Sequence, residues 1–297
     1  MRLERKDHMD ALGASLLIGF SVLLGLNQAL VKLVNTGFAP VFQSGLRSFC
    51  AFFVVLAWAA LTRKRINFRD GTLGWGLLLG VLFALEFAML FIALEYTTVS
   101  RVSLFFYSMP LFTAVGAHFL FPEERLHTGK VTGLAVALGG LALGLSDDTS
   151  RATDTAWVGD ALAIGGAICW AGIALAIRAS PLVRVSSEQV MLYQLGVSAL
   201  LLLPAAPLFG EMVRNVTPGL IGIFAFQVVA IASLGFLMWA RILTLYPVGN
   251  MASFSLLTPL FGVFFGWLVF NDPLTLRFAI ALLLVGGGLL LINRRRV

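Results

Sequence analysis

The sequence predicts an all-α membrane protein of ten transmembrane helices, arranged as two inverted five-helix repeats around a central cavity. Three observations carry this expectation. The 297 residues are 59% hydrophobic and only 12% charged, whereas roughly a quarter of the residues in a soluble domain are charged. Apolar stretches of membrane-crossing length follow one another along the whole chain. The stretch PLFTAVGAHFLF, beginning at Pro110, is echoed by PLFGVFFGWLVF, beginning at Pro259.

Runs of about 20 or more mostly apolar residues, broken by charges, prolines and glycines, mark the spans. They are expected at 11–34, 38–62, 71–94, 98–120, 127–146, 156–180, 187–207, 217–245, 247–270 and 274–292. The first follows a basic start, RLERK, and is too long for a signal-peptide core, so it is expected to be retained. Pro110 in span 4 and Pro259 in span 9 each place a helix breaker in an apolar run, either as paired hinges or as static kinks. For span 10, Asp272 is the expected N-cap, with Pro273 at the first helical position. Glycines four residues apart (Gly76 and Gly80, Gly129 and Gly133, Gly140 and Gly144, Gly262 and Gly266) predict close helix packing within the chain. The connections are too short to fold as separate domains.

Lys and Arg near the span ends set the orientation. With the N-terminus inside, Arg2, Arg5, Lys6, Arg63, Lys64, Arg65, Arg69, Arg125, Lys130, Arg184 and Arg294 to Arg296 face the cytoplasm. The opposite side holds mainly Arg101, Arg151, Arg214 and Arg277, and the acidic connection SDDTSRATDT. The expectation is a multi-pass protein of the inner membrane with both termini cytoplasmic.

The echo extends beyond the two prolines. Leu94 and Val99 match Leu243 and Val248 at the same offset, and after a one-residue slip Gly139-Gly140 match Gly287-Gly288. Lys32 and Arg178 fall at equivalent points of spans 1 and 6. Two repeats follow, 11–146 and 156–292. An odd number of crossings in each turns the second upside down relative to the first.

The first half reads ALEYTTVSRVSLFFYSMPLF, then Glu123, then a small-residue helix with a Gly-Gly pair. The second repeats it as LTLYPVGNMASFSLLTPLF, Asp272 and another Gly-Gly pair. This resembles the drug/metabolite transporter superfamily, in its ten-helix exporter form, over essentially the whole chain. LEFAMLFIAL, FYSMP and AICWAG look most like the bacterial aromatic amino-acid exporter branch. The resemblance implies export of amino acids or related small metabolites by alternating access. Leu85 and Met109 stand where the aromatic branch would carry bulkier rings, which favours a broader preference for neutral amino acids. Export of drugs or other metabolites is the alternative cargo.

Ionisable and polar groups inside spans are costly, and so they mark candidate sites. In an inverted-repeat transporter the cargo lies near the bilayer midplane. The residues expected to reach it are Asn27, Leu85, Glu86, Tyr107, Met109 and Trp170, with Ser255 as a weaker counterpart in span 9. Glu86 is the deepest acid and would meet a substrate ammonium or carry a proton. Arg47 lies about nine residues into span 2, with Gln43 one turn earlier on the same face. For Glu86 and Arg47 a structural ion pair is the competing reading, and for Asn27, Tyr107 and Trp170 a local helix–helix hydrogen bond. Lys32, Arg178 and Arg241 lie closer to span ends, where snorkelling accounts for them. His118 is expected at the interface.

Other classes find little support. The net charge of +6 sits in short connections, with no soluble surface to bind nucleic acid. None of His8, His118 and His127 has the spacing of a zinc protease, and there is no nucleophile elbow or phosphate loop. An intramembrane enzyme is the residual alternative. Cys50 and Cys169 fall in apolar runs and form no disulfide framework or metal pattern. No cofactor or metal is expected. The expected partners are a small-molecule substrate and the lipid bilayer.

Overall fold

The computed structural model describes residues 11–147, 153–245 and 257–293, and among these the regular structure is entirely helical. The first half contains α1 (Ala11–Val34), α2 (Pro40–Leu61), α3 (Leu73–Tyr96), α4 (Val99–Phe106), α5 (Met109–Leu120) and α6 (Thr128–Leu145). The second contains α7 (Ala156–Arg178), α8 (Ser187–Ala205), α9 (Pro218–Phe226), a π-helical segment (Gln227–Gly235), α10 (Phe236–Leu245), α11 (Leu257–Phe270) and α12 (Leu276–Asn293). Span 4 is α4 with α5, and span 8 is α9, the π segment and α10. Among the described residues eight spans are long and apolar enough to cross a membrane, and Leu257–Phe270 and Leu276–Ile292 are shorter apolar helices.

Helix starts follow local chemistry. Thr98, Ser186 and Thr217 each accept a hydrogen bond from the backbone N–H three residues on, satisfying a donor the helix cannot. Pro40 and Pro218 open α2 and α9, where no N–H is needed. Span 10 departs from expectation. Residues 271–275 are not helical, and the cap is Thr275, whose hydroxyl accepts from the Phe278 N–H at 3.0 Å. Asp272 is occupied elsewhere: its carboxylate accepts from the Ser100 N–H at 2.8 Å. The long-range bond overrides the local signal.

Packing relates the two halves by exchange. Spans 2 and 7, 4 and 9, and 5 and 10 pack directly against each other. Span 1 lies on span 9 as span 6 lies on span 4, and span 3 lies on spans 6 and 7 as span 8 lies on spans 1 and 2. Glycine sets the approach of α6 to α12: a methyl on Gly133 would lie 2.7 Å from the Gly288 carbonyl oxygen, and one on Gly288 2.5 Å from that of Gly133. Gly76 and Gly80 likewise admit Tyr193 and Val197, while Gly262 and Gly266 admit Ser103 and Ser100. Gly129 meets only its own neighbour His127. Small residues thus build contacts within the chain.

The connections gather at two ends. Those after spans 1, 3, 5, 7 and 9 define the odd end, and those after spans 2, 4 and 6 the even end. At the odd end Phe38 bridges Val213, and Arg214 pairs with Glu95. Arg101 was expected near the start of span 4, among the charges on the side opposite the cytoplasm, and it is fully buried (0%). It donates to both carboxylate oxygens of Asp160, at 3.0 and 2.6 Å, and to the Asp147 carbonyl at 3.1 Å. Thr275 bonds the Asp147 carboxylate. At the even end Gln189 exchanges hydrogen bonds with the Asn67 backbone and donates to Asp70. Hydrogen bonds from Thr72 hold the Asp70 carboxyl below its usual range. His118 accepts from the Leu126 N–H at 3.1 Å.

Candidate functional site

Counting from the odd end at about 1.5 Å per residue, the polar side chains of five spans fall into one layer. Asn27 and Gln28 lie about 10 Å below the end of α1, and Arg47 about 10 Å into α2. Glu86 lies about 15 Å from the end of α3, Tyr107 about 12 Å into span 4 and Gln227 about 13 Å into span 8. In a bilayer core of about 30 Å that is the middle. All six are buried.

Gln227 links the halves. It opens the π segment, a local widening of the helix that recurs at functional sites. Its Nε2 donates to the Asn27 side-chain oxygen at 3.4 Å, and Gln43 Nε2 donates to the Gln227 oxygen at 3.5 Å. Both are long for N–H···O bonds. Ser233 holds the widened turn by donating to the Val228 carbonyl at 2.8 Å.

Glu86 occupies the centre of the layer. It is fully buried (0%), yet neither carboxylate oxygen has a hydrogen-bond partner. The opposite charge acting on it is Arg47. The guanidinium of Arg47 lies 4.1 Å over the Phe87 ring and 4.7 Å from that of Phe91, and its Nε is also unpartnered. Gln28 Oε1 in α1, and Gln43 Oε1 and Ser44 Oγ in α2, are likewise buried without partners, as are Asn35 Oδ1 and Ser103 Oγ. Buried polar atoms without partners are rare and ask for an explanation.

The remaining expected residues divide. Tyr107 joins the layer, donating to the Leu24 carbonyl at 3.4 Å. Trp170 stands deeper, toward the even end, edge-on to Phe106 at 6.3 Å and beside Phe236 at 6.3 Å. Met109 is half-buried against the core. Leu85 departs from expectation: one residue from Glu86 it turns outward, 46% exposed, on a stripe with Leu77, Leu78 and Val81. Ser255 lies outside the described residues. Pro110 stands just past a break in span 4, where the Ser108 hydroxyl donates to the Phe105 carbonyl at 2.5 Å. Pro259 lies near the start of α11, and the residues just before that helix are outside the described set. Reading the sequence for charge missed Gln28, Ser44 and Gln227. Their amide or hydroxyl character inside apolar runs was the available signal.

Among the described residues, apolar helices of membrane-crossing length, packed by exchange around a polar layer at mid-depth, define a polytopic helical membrane protein with a built interior. Comparison makes the class specific. Residues 11–146 and 157–294 each match the EamA-like transporter family, and the chain belongs to that family. It is therefore a transporter of the drug/metabolite superfamily. It is 22% identical over 288 residues to the uncharacterized transporter YoaV of Bacillus subtilis, covering 95% of this chain and 98% of that one. It is 27% identical over 296 residues to the probable amino-acid metabolite efflux pump of Escherichia coli, covering 96% and 94%. A solved crystal structure of a protein 22% identical superposes with a TM-score of 0.65, covering 94% of this chain and 95% of that one, and shares the fold.

Proposed function

We propose that the chain exports amino acids or related small metabolites by alternating access. In this reading its two inverted five-helix repeats, 11–146 and 156–292, enclose the cargo between them. The observation that carries the reading is the mid-depth polar layer, which draws Asn27, Gln43 and Gln227 from both halves into one chain of amides. A static core would leave such a layer apolar, because unsatisfied polar groups in a dry interior are costly. The echoed sequence and the exchanged packing support the inverted arrangement, and the name of the Escherichia coli relative supports the cargo class. Basic residues concentrated in the even-end connections support a cytoplasmic even end in the inner membrane. Asn27, Glu86 and Tyr107 then face cargo, with Trp170 and Met109 bordering its path, and the break before Pro110 is a hinge.

Counterflow into liposomes that contain only the purified protein tests this. A preloaded neutral amino acid should drive uptake of its labelled form, and Pro110→Ala should lower the rate more than the apparent affinity. An absence of counterflow across a full amino-acid panel would sink the cargo assignment.

A further inference from the structure

Among the described residues two buried acid–base pairs are built differently. Arg101 and Asp160 are closed on each other at 2.6 Å, with both side chains at 0% exposure. Thr97 and the Asp147 carbonyl take up further hydrogen-bonding positions. That is how this fold satisfies a structural ion pair. Glu86 and Arg47 act on each other electrostatically, yet both Glu86 oxygens and the Arg47 Nε stay without a hydrogen bond. The aromatic faces of Phe87 and Phe91 hold the guanidinium in place.

We propose that Glu86 and Arg47 bind the two backbone ends of a zwitterionic α-amino acid, the ammonium going to Glu86 and the carboxylate to Arg47. This assignment rests on the transport reading above and specifies its site. The hydrogen-bonding inventory matches. An ammonium brings three donors, which meet the Glu86 carboxylate and the free amide oxygens of Gln28 and Gln43. A carboxylate brings only acceptors, which meet the Arg47 Nε–H and the Ser44 hydroxyl. Charge matches as well. With Glu86 ionised the pair is neutral overall and so is a zwitterion, so the filled site would carry no net charge into a dry layer. An amine lacking the carboxylate, or an acid lacking the ammonium, would leave one buried charge uncompensated, which is strongly unfavourable. The cargo side chain is left to Phe106, Trp170 and Phe236, apolar walls that sort by size.

Three probes share one ring and differ only at the ends: L-phenylalanine, phenethylamine and 3-phenylpropionate. Their binding to the full-length purified protein is measured by calorimetry, beside counterflow of labelled L-phenylalanine. The amine and the acid should each bind at least about 30-fold more weakly than the amino acid. Glu86→Gln should weaken L-phenylalanine by a similar factor and shrink its advantage over 3-phenylpropionate, which never used Glu86. Arg47→Gln should shrink the advantage over phenethylamine instead. A merely structural role would lower all three probes together, and a Glu86 that only carries a proton would leave the gap to 3-phenylpropionate unchanged. Either result overturns the assignment. So does wild-type protein that binds the three probes alike, a comparison that stands even where a variant fails to fold. Wild-type protein that exchanges no amino acid in counterflow marks failure of the transport reading itself. Exchange without discrimination of the ends marks failure of this inference alone.

Discussion

At the even end Arg178 lies over the Phe121 ring at 4.3 Å and donates to both oxygens of Glu124, at 3.0 and 2.6 Å. At the odd end Lys32 lies over the Phe270 ring at 5.5 Å, with Asp272 as its facing acid. Lys32 and Arg178 fall at equivalent points of the two halves, as do Phe270 and Phe121, so one latch appears twice. Their surroundings differ. The even-end pair is open to solvent, with side chains 43% and 34% exposed. The odd-end latch is drawn inward: Lys32 also donates to the Thr97 carbonyl at 2.6 Å, and buried Asp272 grips the first turn of α4. Beside it lies the closed Arg101–Asp160 pair. A duplicated sequence element can therefore hold one end tightly and the other loosely, according to how much water its neighbours exclude.

The contrast can be broken most severely at Arg101. Arg101→Ala should leave Asp160 charged and unpaired in the interior, costing about 3–5 kcal/mol, read as a lower melting temperature of the purified protein. Replacing both members together, Arg101→Met with Asp160→Leu, should recover most of that loss, because the pair's attraction is largely cancelled by desolvation. A double variant as unstable as the single one would show that the remaining hydrogen bonds of Arg101 matter more than the charge pair.

A smaller effect is expected at Asp272. Asp272→Ala removes a charge-assisted hydrogen bond to Ser100 and the acid facing Lys32, a loss of about 2 kcal/mol. An unchanged melting temperature would mean that the odd-end latch contributes nothing beyond the Arg101 pair.

The smallest effect belongs to the even-end latch. Arg178→Ala should cost no more than about 1 kcal/mol, since exposed pairs are screened by water and salt. The hydrogen bond from Arg178 holds the Glu124 carboxyl below its usual range. A depressed folded value means that the contribution is fully present above the ordinary carboxylate range, about pH 4.3, and is lost as pH falls through the folded value. The difference in melting temperature between Glu124→Gln and the parent should therefore be flat from pH 5 to 8 and close only in more acidic buffer. A difference that varied across neutral pH would place the linkage on another group.

Much of this fold was legible in the sequence because lipid imposes a coarse rule: a span must be long and apolar, and charges mark its ends. The echo around Pro110 and Pro259 exposed the duplication. What periodicity alone does not give is the face a side chain takes. Leu85 and Glu86 are adjacent and point to opposite environments, a consequence of about 100° of rotation per residue. Arg101 looked like a charge at a span end because its partner, Asp160, is remote in sequence. Asp272 and Pro273 carry the expected helix-start pattern, but the Ser100 N–H takes that carboxylate. The amides of the polar layer carry no charge and stood out less than Glu86, although Gln227 joins the halves within that layer.

One asymmetry remains within the duplication. α3 is an α-helix throughout, whereas its counterpart in the second half is interrupted by the π segment from Gln227 to Gly235. Two identical halves trading places in the proposed cycle would give its two end states the same energy, like a coin with matching faces. A widened turn in one half removes that degeneracy. In that cycle it would tilt the landscape, making one well deeper before any cargo arrives, a resting pose inherited from sequence rather than chosen by the substrate.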